Sequence, residues 1–324
     1  MINKPISLFV ALICATLLTQ AQDKTEYVIG ITAQGMRSVS VEDVELGFNY
    51  QLEQVAKNKN YTLKIKALKN DTELADFILN KKLTGYFGTP ILALKLNQVF
   101  NLDALFVPEL DNKVMQRYVL LVRKDSGISE LNQLIHQSLS YCLVDEVGMM
   151  FVQKRLNQEK LGNITTFLSK TVVKKNPNLA ISAVFFKETK AVLALEADYS
   201  VAAELNPQLK TQLIAIEISP EYVTNVLAIV KPLEGPMTLA DYESNLANIG
   251  SAIQSKKILK SYKYGRLRKI NNSDLNSVRE LMSDLHDSKG SAPSWKLGHL
   301  AYLGFSSQER SWRLWALPLL YLLF

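Results

Sequence analysis

YVIGITAQG, residues 27–35, decides how this chain reads. Its first five residues carry no charge and include two β-branched isoleucines and a valine. Such a run fits a strand covered on both faces, ending in a loop at Ala33-Gln34-Gly35. The period then changes. Val41, Val44, Phe48, Leu52 and Val55 recur every three or four residues, behind a capping box of Ser40 and Asp43, so a helix is expected. Residues 61–67 (YTLKIKA) alternate strictly, with Tyr61, Leu63, Ile65 and Ala67 on one side of a half-buried strand. Strand, helix, strand in this order predicts an α/β sheet with mostly parallel strands.

The alternation continues outward. Asn70 and Glu73 cap a helix that packs Leu74, Phe77 and Ile78, and a short strand at residues 85–88 runs into Thr89-Pro90. Proline suits a first helical turn, where its missing N–H costs nothing. A second unit begins near Gln116. Residues 117–123 (RYVLLVR) read as a strand, Ser129 and Ser140 flank a short helix, and residues 140–145 (SYCLVD) form a strand leading into Gly148 and a helix to about Glu159. Residues 179–195 read as helix and 198–203 (DYSVAA) as strand. Strands at 213–218 and 225–230 (NVLAIV) follow. Thr238 and Asp241 box a helix striped by Leu239, Tyr242, Leu246, Ile249 and Ile253. The last helix starts at Ser273 and carries Leu275, Val278, Met282 and Leu285.

The ends differ from this middle. Residues 1–21 have the layout of a secretory signal peptide: Lys4, an apolar run from Ile6 to Leu18, then Thr19-Gln20-Ala21 before Gln22. Ile13 before Cys14 argues against lipid attachment, so a soluble exported product is expected. Only Cys142 then remains, which allows no intrachain disulfide. From Asp287 onward the composition shifts. All three tryptophans (Trp295, Trp312 and Trp315), a Gly/Ser/Pro-rich stretch at 290–294 and an apolar run at 312–324 fall there. Residues 287–324 read as an atypical tail, either a linker leading into a membrane segment or an addition foreign to the fold.

Several function classes are excluded. The 324 residues predict about two domains. The net charge of +6, or +5 without Lys4, is scattered, with no basic stripe among aromatics, so nucleic acid is not an expected partner. No phosphate-binding loop, zinc motif or nucleophile elbow occurs. His136, His286 and His299 are too dispersed to share a metal. Neither a cofactor nor catalysis is expected.

Three stretches resemble one family. Residues 79–93 (LNKKLTGYFGTPILA) are similar to its helix, strand and Gly-x-Pro segment. Residues 116–134 (QRYVLLVRKDSGISELNQL) resemble its hinge strand and the turn after it, and residues 191–203 (AVLALEADYSVAA) resemble a second-lobe segment. The family is that of the periplasmic substrate-binding proteins of phosphonate, phosphite and sulfonate-type ABC importers. The resemblance implies a type II periplasmic-binding fold: two α/β lobes, a ligand cleft between them, and two hinge crossings near Gln116 and Lys231. Residues 22–115 and 232–286 would form the first lobe, and 116–231 the second. The implied protein is a monomer that captures a small polar or anionic solute and hands it to an ABC permease. The alternative is a sensory domain feeding a membrane signalling protein.

The cleft implied by that fold is lined by strand-end loops, which nominates Thr32, Gln34, Gly35, Gly88, Thr89, Pro90, Asp145, Glu146, Gly148, Met149 and Tyr199 as ligand contacts. Blander roles are open to each. Thr89 and Pro90 also suit a plain helix start, Asp145 and Glu146 a helix cap, and Tyr199 packing in a sheet. One departure stands out. Phosphonate binders place a Ser/Thr-rich turn after the second-lobe strand, whereas this chain has Asp145-Glu146-Val147-Gly148-Met149-Met150. Two carboxylates there would repel a phosphonate, so tight phosphonate binding is not expected.

Overall fold

The computed structural model describes residues 24–32, 35, 40–97, 102–110, 112–230, 235–249 and 265–287. The expected signal peptide, Gln34, Lys231, Ile253 and the tail beyond Asp287 lie outside the described residues.

Two mixed sheets organise the chain. The first begins with β1 (Thr25–Thr32), α1 (Val41–Ala56), β2 (Tyr61–Leu68), α2 (Asp71–Leu79), β3 (Gly85–Gly88), α3 (Pro90–Leu96) and β4 (Leu102–Pro108). The chain then passes to β5 (Gln116–Arg123), β6 (Ser138–Cys142), α4 (Glu146–Gln158), α5 (Ile164–Phe167), β7 (Lys170–Lys174), α6 (Pro177–Phe185), β8 (Ala191–Leu195), α7 (Glu196–Leu205), α8 (Gln208–Gln212) and β9 (Leu213–Tyr222). It returns as β10 (Val226–Val230), α9 (Leu239–Ile249), β11 (Leu267–Ile270) and α10 (Asn276–Asp287). The strand orders are β11-β4-β10-β3-β1-β2 and β7-β6-β8-β5-β9. Each sheet has a parallel part, β2-β1-β3 and β7-β6-β8, and turns antiparallel where the chain enters from the other sheet. This is the α/β fold expected, in two lobes, but the strands are not mostly parallel as the alternation predicts, because β4, β5, β9, β10 and β11 pair antiparallel with their neighbours.

Local signals behave as their chemistry predicts. Ser40 accepts from the Asp43 N–H and Asn70 from the Glu73 N–H, each at the head of its helix. Thr238 and Asp241 exchange both bonds of a capping box before α9. One apolar cluster fills the first lobe and extends onto the face of β5 bearing Tyr118, Leu120 and Val122. The opposite face, with Val119 and Leu121, packs separately on Ala180, Ile181 and Val184 of α6 and on Ala202 and Ala203 of α7.

Three expectations are corrected. Residues 179–195 are not one helix: α6 ends at Phe185, and AVLAL at 191–195 is a wholly buried strand. Residues 198–203 are helical, not a strand. Glu196 and Asp198 lie in the first turn of α7, where acidic groups are favourable, and the apparent alternation of DYSVAA misled. The return crossing lies at residues 223–225, not near Lys231, because Val226–Val230 already pairs with β3 and β4 in the first sheet.

The last strand is fastened by charge. Glu109, 4% exposed, has Arg268 Nη2 at 2.6 Å and Arg266 Nε at 3.2 Å, and its backbone N–H donates to the Arg266 carbonyl. Its carboxylate is buried while both arginines face solvent. Glu109→Ala should therefore cost ~1–3 kcal/mol in denaturant unfolding, and either Arg→Ala less than ~1 kcal/mol. Tyrosines set the alkaline limit. Burial pushes the Tyr222 phenol up to about 12, helped by Asp284 and Glu280, and burial raises Tyr242 as well. Unfolded tyrosine ionises near pH 10. Between pH 10 and 12 the unfolded state sheds these protons and the folded state keeps them, so stability should fall with rising pH in that window. Tyr222→Phe should flatten the slope in equilibrium unfolding followed from pH 9 to 12.

Candidate functional site at the strand ends

The candidate site begins where β1 and β3 end. Their register sets Ile31 opposite Phe87, which brings Thr32, fully buried, level with Gly88. Gly35 then comes back against β3. A Cβ on it would stand 2.8 Å from the Phe87 carbonyl oxygen and 3.2 Å from the Gly88 Cα, so only glycine allows this backbone approach. Thr89 is the N-cap of α3, with its hydroxyl accepting from the Leu92 N–H at 3.3 Å, and Pro90 takes the first helical position.

A residue not foreseen from sequence completes this edge. Strand β10 runs antiparallel to β3 with Val226 opposite Gly88, which places Asn225 beside Thr89. Asn225 is 1% exposed, and its Nδ2 donates to the Gly35 carbonyl at 3.1 Å. Its Oδ1 is buried with no hydrogen-bond partner among the described residues. One signal for it was available: a polar residue directly before a fully apolar strand, at the point where the chain changes lobes.

The second lobe contributes the turn after β6. Asp145 is fully buried, and its Oδ2 faces back to accept from the Cys142 N–H at 3.3 Å. It makes no side-chain cap on α4, so the capping expected of it is spent on the strand end instead. Glu146 goes the other way. Its Oε2 accepts from the Thr89 hydroxyl at 3.3 Å, joining the first helical residue of α4 to the cap of α3 across the two lobes. The other nominated residues lie elsewhere. Met149 is wholly buried in the core, and a Cβ on Gly148 would sit 2.5 Å from Tyr118 Cδ1, so this glycine serves packing. Tyr199 lies on α7, donating to the Leu209 carbonyl at 3.3 Å. It packs with Val119 and Leu121, on the opposite face of the sheet from Tyr118 and Gly148.

The structure thus brings together Thr32, Gly35, Gly88, Thr89, Pro90, Glu146 and Asn225. It sets Asp145 just behind them and separates Gly148, Met149 and Tyr199 from them. Gly148→Ala gives a direct check. The added methyl collides with a buried ring, so denaturant unfolding should show a loss of ~1–3 kcal/mol, the scale of overpacking. A variant of unchanged stability but weakened solute binding would instead place this glycine against the ligand.

Solved structures share this arrangement of chain. PhnD1 from Prochlorococcus marinus, in complex with methylphosphonate, superposes with a TM-score of 0.63 at 15% identity, over 81% of this chain and 98% of its own. A binding-protein component of an ABC phosphonate transporter from Pseudomonas aeruginosa gives 0.61 at 13% identity, over 80% and 86%. The periplasmic aliphatic sulphonate binding protein SsuA from Escherichia coli gives 0.52 at 13%, over 81% and 86%. Such likeness shows the type II periplasmic-binding fold. A comparison with curated proteins finds no match. The profile of a family described as "ABC transporter, phosphonate, periplasmic substrate-binding protein" matches residues 38–275, most of the chain. On that match the chain belongs to the family of periplasmic substrate-binding proteins of phosphonate-type ABC transporters.

Proposed function

We propose that this protein is the solute-capturing component of an ABC importer, that it works as a monomer in the periplasm after cleavage behind Ala21, and that it binds its solute without transforming it. The observation that carries this reading is the Thr89–Glu146 hydrogen bond. It joins two helix starts that belong to different sheets, beside a return crossing formed by residues 223–225. Two lobes joined by a polar contact at their strand ends have the construction of a hinged clamp, in which a ligand supplies further contacts. Residues 22–115 with 232–286, together with the return strand β10, would move as one jaw, and residues 116–222 as the other. The strand ends present a hydroxyl, a carboxylate and an amide, which can hold a small polar molecule. The sensory alternative drew on the tail at 287–324, whereas membership of an ABC transporter family favours import.

A thermal-shift and calorimetric screen of small polar solutes against the purified protein tests this. A true solute at 100 times its Kd should add ~2.7 kcal/mol to folding stability and be recovered unchanged. Thr89→Val, which removes both the cap and the bridge to Glu146, should weaken it by about tenfold or more, at ~1–2 kcal/mol for a lost polar contact. Conversion of a bound solute, or no binder in a broad screen, would refute the reading.

A further inference from the structure

The first lobe holds a cavity remote from the strand ends. It lies among α3, the start of β4, the end of β11 and the short 3-10 turn Asn272–Leu275 that leads into α10. Asn97, in its wall, caps the far end of α3, ~12 Å along the helix from Thr89. The cavity measures about 130 Å³. That is close to the ~150 Å³ that takes up benzene in an engineered core. Its floor is apolar. Leu94, Leu102, Leu105 and Ile270 line it and keep 8%, 9%, 7% and 8% of their surface exposed, while Leu275, at 1%, closes it behind.

The rim is polar, exposed and one-sided. Asn97, Asn271 and Asn272 have each committed the side-chain oxygen. Asn97 accepts from the Leu102 N–H at 3.3 Å, Asn271 caps the 3-10 turn, and Asn272 accepts from Arg279 Nη2 at 3.4 Å. Their Nδ2 groups have no partner among the described residues, and an amide nitrogen can only donate. The charges around the rim are already matched. Lys269 Nζ holds Glu243 at 2.5 Å, and the Asp274 carboxylate accepts from the Asn271 N–H at 2.8 Å. A carboxylate ligand would face Glu243 and Asp274, and an ammonium would face Lys269, Arg279 and the amide donors. Neutral donors above an apolar floor suit an uncharged body that carries an acceptor oxygen.

We propose that this cavity is a second small-molecule site, which takes a neutral carbonyl compound of about seven non-hydrogen atoms. The apolar body of the ligand rests on the leucine floor and its oxygen accepts from the asparagine amides. The site lies apart from solute capture in the cleft, and neither reading depends on the other.

The test is titration of the purified protein with cyclohexanone, followed by NMR at the asparagine side-chain amides. Cyclohexanecarboxylate and cyclohexylammonium serve as charged probes on the same ring. Cyclohexanone should shift the Asn97, Asn271 and Asn272 amide signals saturably, with a Kd of ~1 mM or tighter for a ligand of that size. The charged probes should bind at least about tenfold more weakly. Asn271→Asp keeps the cap, since aspartate serves that position as well as asparagine, but exchanges the donor for an acceptor. It should weaken cyclohexanone roughly two- to tenfold, the range of a lost neutral hydrogen bond. Leu102→Phe puts a ring into the cavity and should abolish binding. If it compromises folding, Asn271→Asp still decides the matter. Absence of a saturable shift at these amides, a charged probe bound as tightly as cyclohexanone, or binding indifferent to Asn271→Asp would overturn the assignment.

Discussion

Strand β10 holds the first lobe together. It lies between β3 and β4 and pairs antiparallel with both, so without it the sheet separates into β2-β1-β3 on one side and β4-β11 on the other. That strand reaches its place only after the chain has built the whole second sheet. The first lobe is therefore completed by a segment that must come back, and the crossing at residues 223–225 is a consequence of sheet pairing. The same return delivers Asn225 to the ends of β1 and β3. Hinge and candidate site are made by one act of strand insertion. Pairings across so long a sequence separation make slow steps in folding, because the loop must close before its contacts form.

Much of this architecture could be read from the chain. YTLKIKA alternates because one face of β2 meets α1 and the other meets water, and that pattern has no helical counterpart. The capping pairs at Ser40, Asn70 and Thr238 marked helix starts correctly, since their side chains have little else to do there. Reading failed where burial is complete. AVLAL at 191–195 is covered on both faces, so periodicity says nothing about it, and its alanines and leucines favour a helix by propensity. DYSVAA failed for the converse reason: Asp198 and Ser200 alternate with Tyr199 and Val201 as the positions of a strand would, although they lie on a helix.

The site was legible in part. Strand ends could be located, and they supplied Thr32, Gly35, Gly88, Thr89 and Glu146. Their partners could not. Whether Asp145 faces a helix, a strand end or a ligand depends on one rotamer, and here its carboxylate returns to the Cys142 N–H, three residues back. Glycine is equally ambiguous in a sequence. Gly35 exists for backbone approach, whereas Gly148, in the first turn of α4, leaves room for an aromatic ring. Asn225 went unseen because its role is set by the register of β10 against β3, a property of two strands more than a hundred residues apart.

The final helix adds a mechanical consequence. Helix α10 rests on α3 of the first lobe and on α4 and β9 of the second, and Asp284 grips Lys154 of α4 at 2.6 Å. An element seated on both jaws behaves as a strap, so sliding one lobe past the other would tear it, and rotation about a line near it would not. Lys154 stands eight residues along α4 from Glu146, a lever arm of ~12 Å at the α-helical rise. Turning α4 through about 20° around that grip, an angle within the range of hinged domain closure, would carry Glu146 through an arc of roughly 4 Å. That displacement exceeds the reach of a hydrogen bond. A strap this far back lets a small rotation release Thr89 from Glu146 while the rear of the molecule keeps its packing.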